Sequence, residues 1–160
     1  MLKNNIESKK YRKGVGILII NDQKNIFVGQ RFDKDKSAWQ MPQGGIDRGE
    51  SSIIALKREL AEETGINKNY NIIRYSNKKY RYDLPYYLQK KLWKGKYKGQ
   101  EQTWFLLKFK GKDDEINIKT EKPEFKKWKW ISKDDLLKII VPFKRKLYLS
   151  VLNEFEKELI

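Results

Sequence analysis

Arg58, Glu59, Glu62 and Glu63 fall within one short stretch of the chain. In a helix, positions i, i+3 and i+4 lie on one face. Three carboxylates crowded onto little more than one turn repel each other by about 0.2–0.5 kcal/mol per pair. They also stand in the C-terminal half of the segment that would carry them, where the helix dipole disfavours anions. Such a conflict between local electrostatics and residue choice is typical of functional sites. A divalent cation would remove the repulsion and give the acids a chemical purpose. A solvated acidic helix face is the plain alternative, yet Ser51–Ile54 and Lys57 offer these acids no evident lysine partner one turn back.

Composition narrows the chemistry further. The chain contains no cysteine and no histidine. That excludes thiolate nucleophiles, Ser-His-Asp and Cys-His catalysis, HExxH zinc sites and imidazole proton shuttles. Carboxylates, Lys, Tyr and hydroxyls remain, and any metal must be a hard one held by oxygen, Mg²⁺ or Mn²⁺ before zinc. The net charge of +15 points to anionic partners such as nucleotides or nucleic acid. Of the 36 basic residues 29 are Lys, a bias that composition drift alone also produces, so the charge permits nucleic acid without requiring it.

Elements that would position these acids are legible along the chain. A length of 160 residues suits a single domain, read here as 1–160 with 1–10 as a flexible, solvated lead-in. Gly14–Ile20 reads as a buried strand and Asn25–Arg31 as a second, the two forming a hairpin across Asn21-Asp22. Phe32–Pro42 reads as a polar loop and Gly44-Gly45 as a sharp turn. Glu50–Thr64 is the clearest helix, with Leu60 among its apolar positions and Gly65 as its stop. Asn71–Tyr82 is strand-like. Lys78–Lys98 holds eight basic residues, one acid and six aromatics, and is expected to contain a long loop able to attract an RNA backbone. Thr103–Phe109 and Lys127–Ile131 read as strands, Ser132 with Asp134-Asp135 starts a short helix, and Phe143, Leu147, Val151 and Phe155 repeat at helical spacing. A helix between strand groups argues a layered α/β domain. The start of the chain lacks a secretory signal, and the longest apolar stretch, Val15–Ile20, is too short to span a bilayer. A cytoplasmic location with no membrane partner is the expectation.

Gly44, Glu50, Arg58, Glu59, Leu60, Glu62, Glu63, Gly65 and Ile66 match the pattern G-x5-E-x7-R-E-U-x-E-E-x-G-U, with U aliphatic, at every defined position. The chain therefore resembles the Nudix hydrolases, which split nucleoside diphosphates linked to another moiety. Tyr11–Gly16, Trp39–Ile46, Gly99-Gln100 with Trp104–Leu106, Pro123-Glu124-Phe125 and Phe143-Lys144-Arg145 extend the likeness to the bacterial RNA pyrophosphohydrolase branch, also labelled dinucleoside polyphosphate hydrolases.

That resemblance implies an α/β/α sandwich with a mixed β-sheet between helices. It implies Mg²⁺-dependent removal of pyrophosphate from 5′-triphosphorylated or 5′-diphosphorylated RNA, the first step in decay of a messenger. Diadenosine polyphosphates are the alternative substrate, and a non-catalytic RNA- or nucleotide-binding module is a third reading. Glu59, Glu62, Glu63 and Glu124, with Gly44, become the implied metal ligands. Glu63, Glu62, Glu124 and Arg58 become the catalytic group, with Arg58 orienting the acids. Arg12, Arg31, Gln43, Tyr82, Gln100, Phe143 and Lys144 match positions that line the substrate groove. From the residues alone, Phe143 has a second reading as the first core residue of the last helix, Tyr82 and Gln100 have one as ordinary loop residues, and Trp39, Trp128 and Trp130 read as core. Ala38 and Pro142 depart from the branch, which often has Ser at both positions.

Overall fold

An unbroken apolar run from Val15 to Ile20 demands cover on both faces of a sheet, and the computed structural model, which describes residues 10–32 and 38–160, supplies it. Strand β1 (Lys10–Ile20) is central. It pairs antiparallel with β2 (Ile26–Arg31) across the predicted hairpin, and parallel with β6 (Tyr97–Phe109) along its whole length. Strand β5 (Tyr70–Asp83) lies antiparallel at the outer side of β6. On the other side, β2 pairs with β3 (Trp39–Gln40) and with β7 (Phe125–Ile131), while β4 (Gln43–Gly45) pairs with β1. The seven strands make one mixed sheet.

Alternation along β1 sends Val15, Ile17 and Ile19 to one face and Leu18 and Ile20 to the other. The first set packs with Phe27, Phe105 and Leu107 against Ala55, Leu56 and Leu60 of α1 (Ser52–Thr64). The second packs with Val28, Trp104 and Leu106 against Leu136 and Ile140 from α3 (Lys133–Ile139) and its C-cap, and against Tyr148, Val151 and Phe155 at α4 (Arg145–Glu154). The result is the α/β/α sandwich with a mixed central sheet.

Several local expectations change. Residues 1–9 and 33–37 lie outside the described part, so most of the lead-in and the middle of the Phe32–Pro42 loop do too; Lys10–Lys13 already belong to β1. Gly44-Gly45 is not a turn but part of a strand, because β1 offers it an antiparallel partner at Val15 and Gly14. The Lys78–Lys98 segment is mostly ordered structure: it finishes β5, forms α2 (Tyr86–Gln89) and a 3₁₀ turn (Trp93–Gly95), and starts β6. Trp128 and Trp130 stack on and abut Phe27, at 5.5 and 6.1 Å between ring centroids, as core residues.

The end of α4 is tied to the edge strand by Arg74. Its guanidinium binds Glu158 at 2.6 Å, Glu154 at 3.0 Å and the Glu154 carbonyl at 2.8 Å, and lies 4.4 Å from the Phe155 ring centroid. Glu154 also accepts from Tyr80 O–H at 2.8 Å and Asn77 N–H at 3.0 Å. These groups are partly exposed, so screening reduces their worth. Arg74→Ala is expected to cost about 1–2 kcal/mol and to lower Tm by about 2–8 °C. Thermal melts of the two proteins check this, and an unchanged Tm would show that the clamp adds nothing.

Candidate active site

Helix α1 opens at Ser51, whose hydroxyl accepts from Ile54 N–H at 3.2 Å, and closes at Gly65, whose φ of +73° a side chain would strain. Positions 56, 59, 60 and 63 share one stripe of this helix, so burying Leu56 and Leu60 also buries Glu59 and Glu63. Strand β4 makes this possible. A Cβ on Gly44 would overlap the Glu59 carboxyl group, and one on Gly45 would overlap the Arg12 guanidinium. The glycine pair thus serves close approach of side chains to a strand rather than a turn.

The three acids separate. Glu59 and Glu63 face inward, whereas Glu62 is exposed and meets Arg58 at 3.3 Å. Arg58 organises the group. It forms a two-pronged pair with Glu50, at 2.8 Å on each prong, and donates to Glu59 at 2.8 Å and to the Gly45 carbonyl at 2.8 Å. This pairing, with the Asp47 N–H, holds the Glu50 carboxyl down to about 2. Glu63, 3% exposed, accepts the Gln43 N–H at 3.0 Å. Burial, less the pull of Arg58, pushes Glu59 up to about 7, with the charges of Glu62 and Glu124 adding to it. Burial first, then Glu59 and Glu124, raise Glu63 well above the usual carboxylate range. Two buried acids that repel each other are poorly stabilised by protein alone, and an all-oxygen donor set suits a hard divalent cation. As placed, no three acids among the described residues already converge on one point. The donor chemistry fits such an ion, while the cage is left open.

A cleft of about 390 Å³ lies above these acids. Glu59, Glu63, Gly44 and the exposed Glu124 line it. Arg12, Arg31, Gln43, Tyr82, Gln100, Phe143 and Lys144 also line it, so eleven of the thirteen residues singled out in the sequence meet in one cavity. Arg58 and Glu62 stand outside its lining. Lys144, at 2% exposure, donates to Gln40 and Gln43, each at 3.0 Å. Gln43 in turn donates to the Tyr82 hydroxyl at 2.9 Å, and Tyr82 packs 6.1 Å from Phe143. Phe143 sits in a 3₁₀ turn (Pro142–Lys144) ahead of α4, so it both touches the core and faces the cleft. Gln100 accepts from Gln102 at 2.6 Å, which accepts from the Trp104 indole at 3.0 Å; bare Gly14 and Gly16 on β1 leave room for Gln100 and Trp104.

Sequence reasoning missed the wall that α2 and the following turn build from Leu88, Leu92 and Trp93. Spacing of the leucines at i and i+4 was the available signal. Trp93 and Lys94 adopt φ of +50° and +56°, an unfavourable conformation for non-glycine residues. The Arg12 guanidinium carbon lies over the Trp93 ring, 5.3 Å from its centroid.

These features define the family. The NUDIX domain family matches residues 10–151, and the chain belongs to it as a Nudix hydrolase. Members of this family generally use divalent metal ions. The RNA pyrophosphohydrolases of Rickettsia africae and Rickettsia typhi are 55% and 56% identical to this chain over 146 residues, covering 91% of it and 90% of each relative. Among solved structures, a Caenorhabditis elegans Ap4A hydrolase binary complex superposes with a TM-score of 0.67 at 22% identity, covering 92% of this chain and 97% of that one. The Escherichia coli dihydroneopterin triphosphate pyrophosphohydrolase gives 0.65 at 19% identity, covering 89% and 97%. Both likenesses are of fold.

Trp93→Ala is expected to raise KM for a polyphosphate substrate about three- to tenfold with kcat little changed, and Trp93→Phe to recover most of that loss. Steady-state kinetics on the three proteins check it; a fall confined to kcat would separate Trp93 from Arg12 and binding.

Proposed function

We propose that this chain removes pyrophosphate from the 5′ end of triphosphorylated RNA, or phosphate from diphosphorylated RNA, and leaves a 5′-monophosphate. The observation that carries the reading is the composition of one cleft, which gathers buried acids, the cations Arg12, Arg31 and Lys144, and the aromatic pair Tyr82 and Phe143. The strong identity to proteins named RNA pyrophosphohydrolases supports it. Glu59, Glu62, Glu63 and Glu124, with Gly44, would hold Mg²⁺, for which Mn²⁺ substitutes. When bound, such an ion neutralises phosphate charge and lowers the pKa of the attacking water.

The remaining work falls to the chain itself. Arg58 keeps Glu59 in place through the Glu50–Arg58–Glu59 chain of contacts. Glu63 takes the proton of the attacking water, a role suited to a carboxylate whose pKa burial has raised. Arg12, Arg31 and Lys144 stabilise charge that develops on the departing phosphates. Phe143 and Tyr82 supply faces for a base. The reading places the protein in the cytoplasm. Among the described residues no helix is long and apolar enough to cross a membrane.

Diadenosine polyphosphates present the same phosphates to the same acids, so the test is comparative. With Mg²⁺, kcat/KM for a short 5′-triphosphate RNA is expected to exceed that for diadenosine tetraphosphate by about tenfold or more, with 5′-monophosphate RNA and pyrophosphate as products. Chelation should abolish turnover and Mn²⁺ restore it. Preference for the dinucleotide would make that the substrate class. Activity on neither, in folded protein, would leave a binding module.

A further inference from the structure

The concave surface does not end at Phe143. Tyr82 and Phe143 also line a second groove of about 390 Å³, between edge strand β5 and the start of α4. The pair is therefore a partition, one side facing the acids and the other this groove. Tyr11, Tyr80, Arg81, Asp83, Lys146, Leu147 and Ser150 complete its lining. The turn that carries Phe143 divides its cations between the two spaces: Lys144 is buried in the cleft, and Lys146, two residues on, is exposed at the groove.

The groove's chemistry is mixed in a particular way. Tyr80, Tyr82 and Phe143 are aromatic. Arg81 and Lys146 are cationic, although Arg81 is paired with Glu101 at 2.7 Å. Asp83 is an acceptor already engaged by the Tyr11 hydroxyl at 2.5 Å, and Ser150 adds a hydroxyl that donates to the Lys146 carbonyl at 3.1 Å. Aromatic faces, donors for a phosphodiester and an acceptor for a base amine or ribose hydroxyl together suit a nucleotide better than a free polyphosphate. A purely anionic ligand would meet Asp83, and a purely apolar one would meet Arg81 and Lys146.

We infer that this groove takes a downstream ribonucleotide of an RNA whose 5′ phosphates lie in the cleft, so that the strand passes over the Tyr82–Phe143 partition. The inference rests on the RNA reading of the cleft. It makes the groove the feature by which the protein distinguishes a polynucleotide from a single nucleotide, since a nucleoside triphosphate held by its phosphates does not reach it.

The test uses Lys146→Glu and Ser150→Phe, two exposed positions away from the acids, the second filling the groove. Substrates are a 5′-triphosphate pentaribonucleotide, ATP and diadenosine tetraphosphate, each with Mg²⁺. Both variants are expected to lose about tenfold in kcat/KM on the pentanucleotide, the worth of one stacked base, and to keep wild-type values on ATP. Unchanged turnover of the pentanucleotide by both variants overturns the groove assignment while leaving the RNA reading intact. Equal losses on all three substrates overturn it as well, showing general damage to the cleft. A loss on diadenosine tetraphosphate as large as on RNA assigns the groove to a second nucleoside of a dinucleotide instead. Wild-type protein that turns over the small substrates but not the RNA overturns both readings, and that arm is scored before the variants.

Discussion

Replacing Glu63 with Gln is expected to lower kcat by about 10²- to 10⁴-fold while leaving the fold intact. Gln keeps the size of Glu63 and an oxygen to accept the Gln43 N–H, which approaches at 3.0 Å. What it removes is a negative charge buried at 3% exposure beside Glu59. Because burial raises the folded pKa of Glu63 above its unfolded value, the ionised form is the costly one at neutral pH. Without divalent ions, Glu63→Gln should therefore melt no lower than the wild type. With Mg²⁺ or Mn²⁺ at about 100 times Kd, the wild type gains about 2.7 kcal/mol by mass action, and the variant should gain less. Initial rates, with melts at zero and saturating metal, read both effects. Near-wild-type turnover would remove Glu63 from the proton transfer.

Arg58→Ala is expected to do damage of a different kind. The guanidinium, 27% exposed, joins Glu50, Glu59, Glu62 and the Gly45 carbonyl in one network, with Asp47 3.4 Å away. Its removal leaves a group of acids without their cation, at about 2–3 kcal/mol in stability. It also frees Glu59 from its anchor, and a misplacement of about 1 Å in a catalytic group costs on the order of 10² in rate. Arg58→Lys keeps the charge but not the fork, so it should recover less than half of either loss on a logarithmic scale. Urea melts give the first quantity, and kcat measured well below the variant's transition gives the second. A lysine variant with full activity would show that charge alone holds Glu59.

The two variants separate what was visible in the chain from what was not. The spacing of Glu59, Glu62 and Glu63 was legible, and so were the stop at Gly65 and the buried run of β1, whereas the helix start, read at Glu50, is set by the Ser51 cap. That Glu63 is enclosed while Glu62 faces solvent was not. The difference depends on which side of α1 the sheet covers, and a single residue's shift around the helix decides it.

The same division runs through the whole molecule. The sequence by itself determined the local features: strand and helix periods, helix ends, the absence of imidazole and thiol chemistry, and the pattern that placed the chain in its family. Each depends on residues within a few positions of one another. Only the tertiary structure decided that Gly44-Gly45 is a strand and that Gly14 and Gly16 clear space for Gln100 and Trp104. It alone buried Lys144 between Gln40 and Gln43, turned Trp93 toward Arg12, and set Phe143 as a wall between two cavities. Those outcomes come from segments far apart in the chain, such as β1 and β6, whose parallel pairing leaves no period or cap in either strand to announce the other.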